Sequence, residues 1–270
     1  MNLGRINIKE ITFSRMVSAI ITRAKNIPYF ISWNSWKKKN SKKLNHFHDK
    51  HAGERIFLIA NGPSLAQMDL TPLKHKITFG MNRIYLLEEK MGFSPNYFSC
   101  INELVLEQFS PEIDSLNSIK YLNYNRNSLF TKGKSNYFLK TKLALKDKFS
   151  YKPFNGVYSG GTVTYVALQL IYALGFSEVI IIGLDHNFKD KGIPNKTEIR
   201  KTELDDNHFH PDYFPKGFKW QLPDLLRSEM AYSIARRVFE KDNRRIIDCT
   251  VNGKCNIFEK GEYENFVNDL

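Results

Sequence analysis

GTVTYVALQLIYALGFSEVIIIGLD, residues 161–185, is the stretch that sets the architecture of the chain. Val163, Val166, Ala167, Leu170, Ile171 and Leu174 recur at the spacing of one apolar helix face, which predicts a helix over 161–174. Gly175 is placed to stop it, because glycine enters the left-handed conformation without a steric penalty. The run EVIIIG, 178–183, then shows no polar alternation. A strand of that kind is buried on both faces, as in a parallel sheet covered by helices.

The same alternation repeats on either side. Short apolar runs at 55–60 (RIFLIA), 76–80 (KITFG), 96–101 (NYFSCI), 120–124 and 245–249 read as strands, and 137–143 is a weaker one. Residues 83–90, 103–116 (around Pro111) and 225–240 read as helices. Strands alternating with helices predict an α/β fold, a doubly wound, mostly parallel, Rossmann-like sheet.

Ligands of such sheets sit beyond the carboxyl ends of the strands. Four strand exits carry asparagine: Asn61-Gly62-Pro63-Ser64, Met81-Asn82-Arg83, Asn102-Glu103, and Leu184-Asp185-His186-Asn187. Asn donates and accepts in one plane, which suits a base edge, a ribose or a phosphate; it also tolerates turn geometry with no ligand at all. Asn61, Asn82, Asn102 and Asp185 are therefore candidate nucleotide-binding residues. In the first turn Gly62 lets backbone approach a ligand, Pro63 stiffens the turn, and Ser64 caps the next helix or binds phosphate. Ser159-Gly160-Gly161 opens a helix N-terminus suited to phosphate. Neither GxxxxGK[ST] nor GxGxxG is present, which disfavours a P-loop or dinucleotide site.

Residues 184–223 carry no periodicity but do carry His208, His210, Asp212, Tyr213 and Trp220. A structureless stretch this long reads as a lid or binding loop. His208 and His210 are the candidate catalytic residues, since a histidine titrates near neutrality and can deprotonate an acceptor hydroxyl. As metal ligands the pair lacks a third partner at suitable spacing beyond Asp185 or Asp212, so no metal site is expected.

The 270 residues carry a net charge of +12, which at first suggests nucleic acid. Its distribution argues otherwise. Residues 1–50 hold 11 Lys and Arg against Glu10 and Asp49, nine of the twelve net charges, and nothing downstream resembles a groove-reading module. No nucleic-acid partner is expected. The three cysteines, Cys100, Cys249 and Cys255, are too scattered for a disulfide framework and indicate a reducing compartment. Residues 1–53 read as a basic arm and 54–270 as the nucleotide-binding domain. Phe13, Met16, Val17, Ile20, Ile21, Ala24 and Ile27 fall at helical spacing, Pro28 is placed to end or kink that helix, and Tyr29, Phe30, Trp33, Trp36 and a lysine run follow. The charges at Arg15, Arg23 and Lys25 rule out a membrane span. The arm reads as an amphipathic helix lying on an anionic membrane surface, or as a helix packed on the domain and followed by a solvated linker.

Taken in order, ANGPSL, MNR, SGGT, GLDHNF and NHFHPDYF resemble the 6-hydroxymethylpterin diphosphokinase-like (MptE-like) family over roughly residues 54–258. That family is in turn similar, in fold and in a GNGPSL-type first turn, to bacterial sialyltransferases that modify lipooligosaccharides. The resemblance implies that Asn61 and Asn82 contact a cytidine-monophosphate donor, that Ser159-Gly160-Gly161 lies near it, and that His208 is the catalytic base, with His210 as competitor. Two positions depart from the pattern: His186 and Asn187 stand where tyrosines would support the leaving phosphate, and Phe209 lacks a hydroxyl.

The function expected is a glycosyltransferase moving a nonulosonic or related acidic sugar from a CMP-sugar donor to a cell-surface glycan or glycolipid acceptor, with no cofactor. Its expected location is the cytoplasmic face of the plasma membrane, and a homo-oligomer is left open. The first alternative is pyrophosphoryl transfer from ATP to a pterin alcohol, which would need Mg²⁺; Asp185 is the one strand-exit carboxylate and no partner carboxylate is evident. The second is a non-catalytic nucleotide-binding protein of a glycan-assembly complex.

Overall fold

The computed structural model describes residues 27–133, 135–142, 144, 146–188, 192–201 and 204–268. The chain divides into two compact units, residues 1–45 and 46–270. In the first, a helix α1 spans Ile27–Asn45, with Trp33 and Trp36 stacked at 5.5 Å and Lys42 and Lys43 in its last turn. Those lysines face the negative end of the helix dipole, which stabilises them there. Pro28 thus sits in the first turn of a helix, where its missing N–H costs nothing. The helix expected over 13–27 lies outside the described residues.

The second unit is built on eight strands: β1 (Arg55–Ile59), β2 (Thr78–Met81), β3 (Tyr97–Cys100), β4 (Ile119–Asn123), β5 (Asn136–Leu139), β6 (Glu178–Ile182), β9 (Arg245–Asp248) and β10 (Glu259–Lys260). Two further strands, β7 (Thr197–Ile199) and β8 (Lys219–Gln221), pair antiparallel by themselves. The main sheet runs β10-β9-β6-β1-β2-β3-β4-β5, and every pairing in it is parallel. The chain leaves β1 toward β2 in one direction and β6 toward β9 in the other. The topological switch point therefore lies between β1 and β6, where a crevice opens at the strand ends.

The flanking elements are a short helix α2 (Glu88–Met91), α3 (Glu103–Ser115), α4 (Val163–Leu174), α5 (Leu225–Lys241) and α6 (Glu264–Val267). α3 departs from helical backbone at Phe109, two residues before Pro111, whose ring crowds the preceding turn. α4 stops at Gly175 in the left-handed conformation, as expected. The single apolar stripe expected of α4 is too narrow a description: Tyr165, Leu168 and Gln169 on its other side are also buried. Phe149 packs on Tyr165 and Tyr172, and the Gln169 side chain accepts from the N–H groups of Ser150 and Tyr158. The segment 149–158 thereby closes over the outer face of the helix.

Residues 46–53 belong to the second unit. Phe47 packs on Tyr121 and Tyr137, His51 stacks on Phe176 at 4.6 Å, and the N–H groups of Asp49 and His51 donate to Ala173 and Leu174. The boundary therefore falls at residue 45 and not at 53, because aromatic packing, invisible in the charge pattern, ties 46–53 to the sheet domain.

Candidate functional site

A cleft opens at the switch point. Its floor is the β1 exit, Ala60-Asn61-Gly62, and the β6 exit, Gly183-Leu184-Asp185. Met81, the last residue of β2, and Asn82 after it lie on one side, and the N-terminal ends of α4 (Gly161, Thr162, Val163, Thr164) and α5 (Pro223, Leu225, Ser228) form another. His186, Asn187, Phe188, Asn207, His208, Tyr213 and Tyr232 complete the lining.

The two floor strands touch. The Gly62 N–H donates to the Gly183 carbonyl at 2.8 Å, and a Cβ on Gly62 would overlap the Asp185 carboxylate. Glycine at this position lets the two strand exits meet. Asp185 accepts from the Ser64 N–H at 3.0 Å and from the Ser64 hydroxyl at 2.7 Å. Burial pushes its carboxyl up, against those two hydrogen bonds. Asn61 and Asn82 present buried side-chain amide oxygens with no hydrogen-bond partner among the described residues. A buried acceptor without a donor costs free energy, so two in one cleft mark where a ligand's donors belong. Asn82 and His186 also hold left-handed backbone, φ 51° and 54°. Such conformations cost about 1–3 kcal/mol each and concentrate at ligand sites.

The segment after β6 is docked on this floor. The Phe209 N–H donates to the Asn61 carbonyl at 3.2 Å, and the Arg83 guanidinium donates to the carbonyls of Asp212 (2.8 Å) and Tyr213 while lying 3.7 Å over the Phe109 ring. Tyr213, so held, stacks flat on the His208 imidazole, 3.9 Å between centroids and 1° between planes. His208 Nδ1 lies 2.9 Å from Asp205 Oδ2, whose carboxylate is 1% exposed. Burial alone would raise the Asp205 carboxyl, but the hydrogen bond and charge of His208, the Asn207 N–H and Arg200 outweigh it and hold it below the usual carboxylate range. A carboxylate at Nδ1 fixes the tautomer and leaves Nε2 to take a proton.

Of the residues singled out from sequence, Asn61, Gly62, Asn82, Gly161, Asp185 and His208 line the cleft together. The others do different work. Asn102 caps α3 by accepting from the Leu104 N–H, Pro63 begins a 3₁₀ turn, and Ser64 holds Asp185. Gly160 packs against Tyr165 and Ala231, Ser159 lies beside Arg227, and His210 Nδ1 accepts from the Asp212 N–H. Sequence reasoning missed Asp205, Tyr213 as the platform of His208, and the pair formed by His186 Nε2 and Glu229 Oε1 at 3.0 Å. Asp205, three residues before His208, was the one with a local signal. Among the described residues no group of three or more His, Cys, Asp and Glu side chains converges as metal ligands would.

A family model described as 6-hydroxymethylpterin diphosphokinase MptE-like matches residues 33–191, more than half of the chain. Among solved structures, the sialyltransferase CstII from Campylobacter jejuni, in complex with a substrate analogue, cytidine-5'-monophosphate, is 12% identical; the match covers 80% of this chain and 88% of that chain at a TM-score of 0.42. No curated protein matches the sequence.

Proposed function

We propose, for a chain that belongs to the 6-hydroxymethylpterin diphosphokinase MptE-like family, that the switch-point cleft holds a nucleotide-activated sugar and that His208 deprotonates the acceptor hydroxyl. The observation that carries this reading is the meeting of two unlike things in one cleft. Asn61 and Asn82 offer amide oxygens that no described residue partners and that suit a nucleoside, and His208 has its Nδ1 occupied by Asp205 and its ring clamped on Tyr213.

The chemistry follows from those parts. The N-terminal end of α4, capped by Thr162, presents backbone N–H groups and a partial positive charge to a donor phosphate. The acceptor oxygen attacks the anomeric carbon while His208 Nε2 takes its proton, and Asp205 stabilises the imidazolium that forms. The bond from the anomeric carbon to the phosphate oxygen breaks, and its electron pair stays on the phosphate. The finer form of the proposal is a CMP-linked nonulosonic or related acidic sugar as donor and a surface glycan or glycolipid as acceptor, supported by the order of the five sequence motifs.

Pyrophosphoryl transfer from ATP to a pterin alcohol is the second reading, favoured by the family's name. Mg²⁺ held against phosphates takes oxygen ligands, mainly carboxylates. Asp185 is the one carboxylate in the described cleft lining, and both its oxygens are turned to Ser64. This donor set does not fit the ion. The basic arm fits a location at an anionic membrane surface, where lipid-linked acceptors lie; among the described residues no helix is long and apolar enough to cross a membrane.

Thermal unfolding with CMP, CDP and ATP, each with and without Mg²⁺, tests the reading. A ligand at a hundred times its Kd adds about 2.7 kcal/mol to the folded state. Stabilisation by cytidine nucleotides without Mg²⁺ is expected. Stabilisation by ATP with Mg²⁺ alone would favour the second reading.

A further inference from the structure

His186 lines the cleft, yet the chemistry above gives it no task. It follows Asp185 at the β6 exit in left-handed backbone, φ 54°, with its ring only 6% exposed. Nε2 lies 3.0 Å from Glu229 Oε1 on α5. A carboxylate accepts and does not donate, so Nε2 carries the hydrogen and Nδ1 is the nitrogen left for the cleft. Among the described residues, the charged and titratable groups around the ring are Glu229 and Tyr232 from α5 (Tyr232 ring centroid at 6.1 Å), Asp185 before it in the chain, and His208 in the same cleft. The Tyr232 hydroxyl meets the hydroxyl of Thr162, the N-cap of α4, at 3.3 Å. His186 is thereby linked, through one tyrosine, to the helix end assigned to the phosphate.

We propose that His186, oriented by Glu229, gives a proton to the departing phosphate, so that the cleft contains two histidine–carboxylate pairs with opposite tasks. The proposal rests on the transfer reading. As the acceptor oxygen bonds to the anomeric carbon, its proton goes to His208 Nε2. As the anomeric carbon–oxygen bond breaks, the phosphate oxygen keeps the electron pair and takes the Nδ1 proton of a His186 imidazolium, which is left as the neutral ring with its remaining hydrogen on Nε2 toward Glu229. One histidine ends with a proton gained and the other with a proton lost, and exchange with solvent restores both. Assigning acid and base to separately oriented groups is the usual solution when a proton must be removed on one side of a reacting centre and supplied on the other.

The test uses the full chain. NMR signals of the His186 ring are followed during titration with CMP and, separately, with cytidine, which lacks the phosphate. Shifts with CMP that cytidine does not reproduce are expected; equal responses, or none, overturn the placement. In transfer assays, His186→Ala should lower kcat about 10²- to 10⁴-fold with the donor KM within about threefold of wild type, and added imidazole should restore part of the loss. His186→Gln should stay slow, since glutamine has a hydrogen to share but no proton to give; a wild-type rate in that variant overturns the acid role. Glu229→Gln, at a partly exposed position that tolerates the change, should reduce kcat less than His186→Ala in a protein of unaltered melting temperature. No reduction overturns the pairing. If the wild type itself transfers no sugar from any CMP-sugar, the transfer reading fails, the acid role falls with it, and the wild-type control reveals this before any variant is compared.

Discussion

Replacing Asp205 by Asn changes one atom and should silence the His208 base while sparing the donor site. The carboxylate is 1% exposed and accepts from the Asn207 N–H at 2.9 Å and from His208 Nδ1 at 2.9 Å, with Arg200 at 3.9 Å. Asparagine can still accept from Asn207 through its amide oxygen. Its amide nitrogen, however, donates where the carboxylate accepted, so it favours the tautomer of His208 with the hydrogen on Nε2. A base protonated at the reacting nitrogen cannot take a proton. The comparable change in a Ser-His-Asp triad lowers kcat about 10⁴-fold, and one positioned base contributes about 10²- to 10⁴-fold, so a loss in that range is expected. One charge-assisted hydrogen bond weakened to a neutral one costs about 1–2 kcal/mol, or roughly 2–4 °C of Tm per kcal/mol in a domain of this size. The assay is initial-rate transfer with donor KM and Tm measured on the same preparation. An Asp205→Asn variant within a few-fold of wild-type kcat would refute the orientation argument. The same substitution carries a pH signature. Because the folded Asp205 carboxyl lies below its ordinary value, it contributes stability above the unfolded aspartate range, and that contribution is lost as pH falls through the folded value. Acid unfolding below about pH 4 should therefore be less steep in the variant than in the wild type.

Gly62→Ala should push the β1 and β6 exits apart by forcing a methyl into the Asp185 carboxylate, costing about 1–3 kcal/mol and weakening nucleotide affinity, as read by thermal unfolding and calorimetry. Arg83→Ala, far less drastic at the floor, releases the carbonyls of Asp212 and Tyr213; kcat should fall more than donor affinity, because the His208 platform loosens while Asn61 and Asn82 stay. Reversing Lys37, Lys38 and Lys39 to Glu in the full chain should abolish cosedimentation with anionic vesicles and leave transfer to a soluble acceptor unchanged. Unaltered sedimentation would mean the lysines do not meet the lipid.

The inner strands of the sheet were legible because they are buried on both faces, so runs such as EVIII at 178–182 show no alternation to confuse with a helix, whereas β10, two exposed residues at the edge, offers no such run. β7 and β8 were not, since three residues carry no period and their pairing brings together positions some twenty residues apart. α1 was hidden by its composition: lysine and asparagine suggest a solvated linker as readily as a helix. At the site, Asn61, Gly62, Asn82, Gly161 and Asp185 could be named because position after a strand, or at a helix start, is a local property, and His208 because a histidine in a long aperiodic segment is a candidate base. Asn102 shows the limit of that reasoning, as the polar side chain that suits a ligand also suits a helix cap. The Asp205–His208–Tyr213 stack and the His186–Glu229 pair depend on how the segment after β6 docks on the first turn and on Arg83, which no spacing rule encodes.

Donor cleavage in a single turnover, comparing wild type with His208→Ala at equal donor occupancy and in EDTA, isolates the role of His208 as base. Release of CMP from a CMP-sugar in the presence of acceptor is expected, slowed about 10²- to 10⁴-fold by the substitution, with donor affinity unchanged and no effect of EDTA. Equal rates in the two proteins, or activity lost in EDTA and regained with Mg²⁺ and ATP, would contradict it.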